Sequence, residues 1–277
     1  MRCNDCPRKC NVDRSTALGF CGAGRYARIA KTVVPFEYEE PCLGELSAVF
    51  FGGCSLRCSY CQNAAISRKP TGREYSDAEL AALFDTMRGA IDLVTPTHCL
   101  SAIERALPLC TTKHRIIYNT SGYETQDAIR RAATFTDVFL TDIKYSDPEL
   151  SEKFSQAPDY FEHARRAVKL MRELRPDEFA PERGERILKR GLIVRHLVLP
   201  GCARDSMNIL DFIAGELGTD TVISLMSQFT PNGVGEPSVP LKKLEYKLVA
   251  EHALKLGFAS GYFQDFDSAN AKYTPEF

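Results

Sequence analysis

Short apolar runs alternate with longer amphipathic stretches along most of the chain. Six of the apolar runs are rich in β-branched and aromatic residues and predict buried strands, at 46–51, 91–94, 115–119, 138–142, 192–199 and 221–226. Between these runs the apolar residues recur three or four positions apart, which is the spacing of one helix face. The pattern therefore predicts a repeating strand–helix chain.

Start and stop signals mark several of the helices. Ser76 and Glu79 match a capping box before an apolar series that ends near Gly89. A helix is predicted over 159–175 and is stopped by Pro176, because proline cannot continue a helix. Further helices are predicted over 101–107 and 206–217 and near the end of the chain, whereas 175–186 reads as a charged, solvated excursion.

Six strands that are each followed by a helix predict a parallel sheet with helices around it. The predicted fold class is α/β, a parallel (β/α)6 partial TIM barrel preceded by a short N-terminal cysteine-rich segment. We expect residues 45–277 to form the barrel domain and residues 1–44 to form the cysteine-rich segment. In such sheets the active site lies at the C-terminal ends of the strands.

Three cysteines follow the first predicted strand on one loop, with the spacing Cys54-x3-Cys58-x2-Cys61. Three thiolates at this spacing can hold three irons of a 4Fe-4S cluster and leave the fourth iron without a protein ligand. The alternative is zinc, but closed structural zinc sites take four protein ligands, and here only three sulfurs lie close together in the sequence. The spacing favours the cluster.

The first segment has four cysteines of its own, Cys3, Cys6, Cys10 and Cys21. Few apolar residues surround them, so this segment cannot bury a hydrophobic core by itself. Four sulfurs could close a zinc site or ligate a second iron–sulfur cluster, and either would supply folding energy. Both alternatives stay open, and Cys42 is a further candidate ligand.

Polar residues end the predicted strands and are therefore the candidates for an active site. They are Thr95, Thr97 and His98 after the second strand, 119–122 after the third, Asp142 and Lys144 at the fourth, Arg195 and His196 in the fifth, and Ser227 and Gln228 after the sixth.

Composition limits the function classes. The 35 basic and 36 acidic residues give a net charge of −1, which argues against nucleic acid or a membrane as a partner. No apolar run reaches 18 residues and the first residues do not match a signal peptide, so we expect a cytoplasmic protein. Eleven cysteines in a reducing compartment indicate metal binding.

The cysteine loop, with Tyr60 before its last cysteine, resembles the signature of radical S-adenosylmethionine (SAM) enzymes. The resemblance implies a 4Fe-4S cluster whose open iron binds SAM, and reductive cleavage of SAM to a 5′-deoxyadenosyl radical that abstracts hydrogen. Nearly the whole chain resembles the branch related to pyruvate formate-lyase activating enzyme, and in particular homologues with an N-terminal cysteine segment.

That branch also implies which residues bind SAM. Its cation-binding motifs correspond to Asn119-Thr120-Ser121-Gly122, which lacks the expected acid, and to the intact Asp142-Ile143-Lys144. Its Gly-Gly-Glu motif is replaced by Thr95-Pro96-Thr97-His98. The residues that the resemblance places at SAM are Tyr60, Thr95, Thr97, Asn119, Ser121, Asp142, Lys144, His196 and Gln228.

Three functions follow as hypotheses. The first is activation of a glycyl radical enzyme, with a flavodoxin or ferredoxin as electron donor. The second is direct modification of a small molecule or peptide, with the N-terminal metal site assisting. The third, which the full set of polar strand ends disfavours, is a non-enzymatic iron–sulfur or zinc redox module.

Overall fold

The computed structural model describes residues 2–37, 39–69, 71–231, 235–258 and 260–266. Its strands are β1 (Ala27–Val33), β2 (Leu46–Phe51), β3 (Arg73–Tyr75), β4 (Ala90–Val94), β5 (Ile116–Thr120), β6 (Val138–Asp142), β7 (Glu178–Glu182), β8 (Glu185–Leu197), β9 (Val222–Met226) and β10 (Gly261–Phe263). Its helices are α1 (Ala64–Ser67), α2 (Asp77–Asp85), α3 (Leu100–Ala106), α4 (Gln126–Ala132), α5 (Pro148–Ser155), α6 (Tyr160–Leu174), α7 (Ala203–Glu216) and α8 (Lys243–Leu256).

The strands form one sheet in the order β3-β1-β2-β4-β5-β6-β8-β9-β10, and β7 pairs with β8 outside this series. Every neighbouring pair from β2 to β10 is parallel, while β1 pairs antiparallel with both β2 and β3. Helices connect the parallel strands, as the strand–helix pattern predicted. The α/β partial barrel is confirmed.

Several helices begin or end where capping and proline signals in the sequence predicted. Ser76 and Glu79 form the predicted capping box at the start of α2, where the Ser76 hydroxyl accepts from the Glu79 N–H and the Glu79 carboxylate accepts from the Ser76 N–H. Helix α6 ends at Leu174, shortly before Pro176. One element differs, because residues 178–182 form β7 and pair with residues 185–190 of β8, where a solvated excursion was predicted over 175–186.

The inner face of the sheet is apolar near the start of the strands. Ala48 and Phe50 on β2, Leu140 on β6 and Ile193 on β8 belong to one buried cluster. The connection between β1 and β2 contributes Phe36 and Leu43 to the same cluster, and the Phe36 ring packs edge-on against Phe50 at 5.8 Å. This connection therefore packs against the inner face of the sheet.

The N-terminal segment is not separate from the sheet. Residues 27–33 within it form β1, which adds an antiparallel strand next to β2. The division at residue 44 stays a prediction. No helix in the described part of the chain is long and apolar enough to cross a membrane.

Candidate active site

A cavity of about 240 Å³ lies at the C-terminal ends of the parallel strands. The thiols of Cys54, Cys58 and Cys61 line it together with polar side chains from β5, β6 and β8. The lining also includes Glu39, Glu40, Tyr60, Thr95, Asn119, Ser121, Asp142, Lys144, Arg195, Gln228 and Gln264.

The loop that carries the three cysteines, residues 52–63, is held at its start by packing against other segments. Gly53 has φ 98°, and a Cβ atom at this position would overlap the carbonyl oxygen of Cys21, so the close approach requires glycine. The Nε2 atom of His98 lies 2.9 Å from the carbonyl oxygen of Gly52. Burial lowers the pKa of His98 to about 4, so its ring is neutral near pH 7 and donates this hydrogen bond.

Each of the three sulfurs has a hydrogen-bond partner. The backbone N–H of Leu56 donates to Cys54 Sγ at 3.4 Å, and the Ser155 hydroxyl donates to Cys58 Sγ at 3.0 Å. The Ser67 hydroxyl lies 3.4 Å from Cys61 Sγ. The sulfurs are thus oriented by one backbone group and two serines.

The donor set fits a three-cysteine iron–sulfur cluster. No fourth cysteine among the residues that the structure describes lines this cavity. Burial raises the pKa of Cys58, and the nearby ammonium of Lys144 opposes that shift by favouring the thiolate.

Asp142 at the end of β6 lies between two cationic side chains. Its Oδ2 atom is 2.6 Å from Lys144 Nζ, and its Oδ1 atom is 3.1 Å from Arg195 Nε. Burial alone would raise the pKa of Asp142, but the two cations outweigh it and lower the pKa. Both carboxylate oxygens are therefore already paired with cationic side chains, and Asp142 has less charge to offer a bound cation than the motif implied.

Arg195 extends this network into the barrel. Its guanidinium donates to Glu39 Oε2 at 2.8 Å and to Asn119 Oδ1 at 2.6 Å. The Asn119 amide donates in turn to Asp92 Oδ2 at 3.2 Å and to Glu39 Oε1 at 3.3 Å. Burial raises the pKa of Asp92 to about 7.

Three acidic residues at this site, Glu39, Glu40 and Asp92, were not predicted from the sequence. Glu39 and Glu40 come from the β1–β2 connection, which carries no recognisable motif. Asp92 did give a signal, because it is a single carboxylate inside the apolar run of β4 and is completely buried. A buried charge normally has a partner, and here the partners come from β5 and from the β1–β2 connection.

Seven of the predicted SAM-binding residues line the cavity: Tyr60, Thr95, Asn119, Ser121, Asp142, Lys144 and Gln228. The Gln228 side chain accepts from Gln264 Nε2 at 3.1 Å. Thr95 has φ 61°, an uncommon conformation for a β-branched residue, and its N–H donates to the carbonyl of Asn119 at 2.8 Å. Such strain is typical of functional sites.

Two predicted residues do not reach the cavity. Thr97 is buried, where its hydroxyl donates to Glu124 Oε1 at 3.1 Å and accepts from the Tyr118 hydroxyl at 2.9 Å. His196 follows Arg195 on β8, and because neighbouring residues of a strand face opposite sides, its ring points away from the cavity. Its two nitrogens lie 2.7 Å from the Ile143 carbonyl oxygen and 2.8 Å from the Ser206 hydroxyl.

The four N-terminal cysteines lie close to one another. Arg14 Nη2 donates to Cys3 Sγ at 2.9 Å and lies 3.8 Å from Cys21 Sγ. A Cβ atom at Gly19 would lie 3.3 Å from Cys10 Sγ and 3.4 Å from Cys21 Sγ. Burial first, and then the charges of the neighbouring thiols, raise the pKa of Cys6 to about 12. A metal site at these thiols stays a prediction.

Residues 48–180 match the family model described as the radical SAM superfamily. The chain is 27% identical over 248 residues to an uncharacterised protein of Methanocaldococcus jannaschii, covering 83% of this chain and 66% of that protein. It is similar to the solved structure of anSMEcpe with bound AdoMet and the Cp18Cys peptide, with a TM-score of 0.52, 14% identity, and coverage of 78% of this chain and 61% of that one.

A domain of pyruvate-formate lyase-activating enzyme from Bacteroides vulgatus also matches, with a TM-score of 0.45, 10% identity, and coverage of 64% of this chain and 99% of that one. The chain spans slightly less than two thirds of the Methanocaldococcus protein and of anSMEcpe. The resemblance predicted from the cysteine loop is confirmed, since the matched family region contains that loop.

Proposed function

We infer, from the radical SAM domain that residues 48–180 carry, that this protein cleaves S-adenosylmethionine reductively and uses the resulting radical to abstract hydrogen from a substrate. One observation carries the inference. The three thiols of Cys54, Cys58 and Cys61 open into the same cavity as the Asp142–Lys144 pair.

Cys54, Cys58 and Cys61 would hold a 4Fe-4S cluster. When bound, the cluster supplies the electron for cleavage of SAM to a 5′-deoxyadenosyl radical. The protein contributes binding and orientation, as is usual for cofactor enzymes. Lys144 places a half-buried ammonium beside Cys58 and Cys61, so it favours the Cys58 thiolate and attracts a carboxylate such as that of SAM.

The polar walls of the cavity provide further groups for SAM. Asn119, Ser121 and Gln228 offer amide and hydroxyl groups that can donate or accept hydrogen bonds. Glu39 and Glu40 add carboxylates on another part of the wall, which suit cationic groups. Separate anionic and cationic parts in one cavity match a zwitterionic ligand whose carboxylate and ammonium need different partners.

A peptide or protein is the substrate class that we favour. The structural relative anSMEcpe was solved with a bound peptide as well as AdoMet. Activation of a glycyl radical enzyme is one case of this class and is suggested by the resemblance to pyruvate formate-lyase activating enzyme. A flavodoxin or ferredoxin is the expected electron donor.

The function is tested with protein reconstituted anaerobically with iron and sulfide. We expect the wild-type protein, given SAM and dithionite, to form 5′-deoxyadenosine, and we expect Cys54→Ala, Cys58→Ala and Cys61→Ala each to abolish that product. Cys110→Ala is the matched control, because Cys110 packs beside α2 and α3 and does not line the cavity. Formation of 5′-deoxyadenosine by the three variants, or its absence from wild-type protein that contains a full cluster, would contradict the assignment.

A further inference from the structure

We propose that Ser155 is a positioning residue that raises the reduction potential of the cluster by donating a hydrogen bond to Cys58. The proposal rests on the proposed function, because it concerns the cluster that Cys54, Cys58 and Cys61 would bind. Ser155 is the last residue of α5 and lies outside the cavity lining.

The contact is short, and its donor residue is completely buried. The Ser155 hydroxyl lies 3.0 Å from Cys58 Sγ, and no part of Ser155 is exposed to solvent. The sulfur of a ligating cysteine carries no proton and can only accept, so the hydroxyl must be the donor. Among the three sulfur contacts in the cysteine loop, this one is the shortest.

Two tyrosines continue the hydrogen-bond chain behind Ser155. The Tyr145 hydroxyl lies 2.8 Å from the Ser155 hydroxyl and 2.7 Å from that of Tyr60. The Tyr145 hydroxyl donates its one proton to Tyr60, so the contact between Tyr145 and Ser155 can use only the Ser155 proton. Tyr145 therefore competes with Cys58 Sγ for that proton and weakens the bond to the sulfur.

Reduction adds one electron to the cluster and makes the cluster and its thiolates more negative. A hydrogen bond to a ligand sulfur stabilises the more negative form more than the oxidised form. Iron–sulfur potentials depend on such hydrogen bonds and on solvent exposure. The Ser155 hydroxyl therefore favours the reduced state.

The N-terminal segment holds Ser155 in place. Arg8 donates from Nη1 to the Gln156 carbonyl at 2.6 Å, from Nη2 to the Ser155 carbonyl at 3.1 Å and from Nε to the Ser55 carbonyl at 3.0 Å. One guanidinium thus joins the C-terminal end of α5 to the cysteine loop. Gln156 adopts a left-handed conformation with φ 52°, which ends α5 directly after Ser155.

The experiment is a redox titration of the reconstituted cluster, followed by electron paramagnetic resonance without SAM. We expect Ser155→Ala to shift the midpoint potential to more negative values and Ser155→Thr, which keeps the hydroxyl, to restore most of the wild-type value. Tyr145→Phe removes the acceptor that competes for the Ser155 proton and should shift the potential to more positive values. Ser151→Ala is the matched control, because Ser151 is also buried on α5 but its hydroxyl donates to the Pro148 carbonyl and not to a cysteine sulfur of the loop.

A Ser155→Ala protein that holds a full cluster at the wild-type potential would overturn the proposal, and so would an equal shift in Ser151→Ala. If Ser155→Ala assembles no cluster, Tyr145→Phe is the test, and an unchanged midpoint potential in that variant would contradict the proposal. The outcomes separate the two proposals. A wild-type protein that takes up no cluster would overturn both the proposed function and the role of Ser155. A cluster whose midpoint potential is the same with and without the Ser155 hydroxyl would overturn only the role of Ser155.

Discussion

Glu124 is a buried carboxyl group with an unusual environment. Its Oε1 atom accepts hydrogen bonds from the hydroxyls of Thr97 and Thr120, while its Oε2 atom has no partner among the residues described. No cationic side chain bonds to it in that part of the chain. Burial accordingly raises the pKa of Glu124 to about 7.

The raised pKa predicts how stability depends on pH. Because the folded pKa lies above the unfolded value of about 4.3, the neutral carboxyl contributes stability below pH 4 that is lost as pH rises through 7. We expect Glu124→Gln to become more stable relative to wild type between pH 5 and 8, by roughly 2–3 kcal/mol. Urea unfolding at the two pH values measures this difference.

Glu173→Gln on the exposed face of α6 serves as control and should show little change between the same pH values. An equal pH dependence of wild type and Glu124→Gln would show that Glu124 titrates normally in the folded protein.

At the scale of elements, the cysteine loop is fixed by segments that are distant in the sequence. Gly53 packs on the Cys21 backbone, Gly52 accepts from His98, and Arg8 donates to the Ser55 carbonyl. The Arg8 guanidinium also lies over the Phe20 ring at 4.4 Å. The N-terminal segment and the cysteine loop therefore support each other.

This support predicts a local effect of Arg8→Lys. A lysine ammonium cannot reproduce the planar guanidinium that reaches three carbonyls, so residues 2–22 should open more often. We expect hydrogen–deuterium exchange there to become at least several-fold faster, with much smaller changes in β4 and β5. Arg2→Lys, a substitution of the same kind at an exposed residue of this segment, should leave the exchange unchanged. Equal protection in Arg8→Lys would mean that Arg8 does not hold the segment.

At the scale of the whole molecule, the chain brings two groups of cysteines to one side of the barrel. The carbonyl oxygen of Cys21 contacts Gly53, the residue before Cys54, so a cysteine of one group neighbours a cysteine of the other. Cys99 is also buried near Cys21 and Arg14, which shows in their mutual effects on pKa.

The two groups predict distinct metal contents. We expect wild-type reconstituted protein to bind metal beyond about four iron atoms, as roughly four more irons or one zinc, and the Cys54/Cys58/Cys61→Ala variant to retain that extra metal. Cys3→Ala should lose it and should expose the first forty residues to proteolysis. Elemental analysis and limited proteolysis measure both effects. Four irons alone in the wild type, or a Cys3→Ala protein with unchanged metal and protease resistance, would refute the N-terminal site.

The sequence by itself determined the features that depend on neighbouring residues. The strand and helix pattern follows from local periodicity, and the spacing of Cys54, Cys58 and Cys61 lies within a single loop, so both could be predicted. The Asp142–Lys144 pair lies at a strand end for the same reason. Thr97 and His196 were predicted at the SAM site but do not line the cavity. The side to which a strand-end residue points depends on the register of the strand and on the following turn, which the sequence pattern does not give.

Only the tertiary structure decided what surrounds the cysteine loop. Arg195 reaches Glu39 across 156 residues of sequence, and Arg8 reaches Ser155 across 147. No local pattern records such pairs, because each forms only when the parallel strands close and the β1–β2 connection and the first segment pack onto them. The thiols come from one short motif, while their hydrogen bonds and charges come from segments that the fold alone brings together.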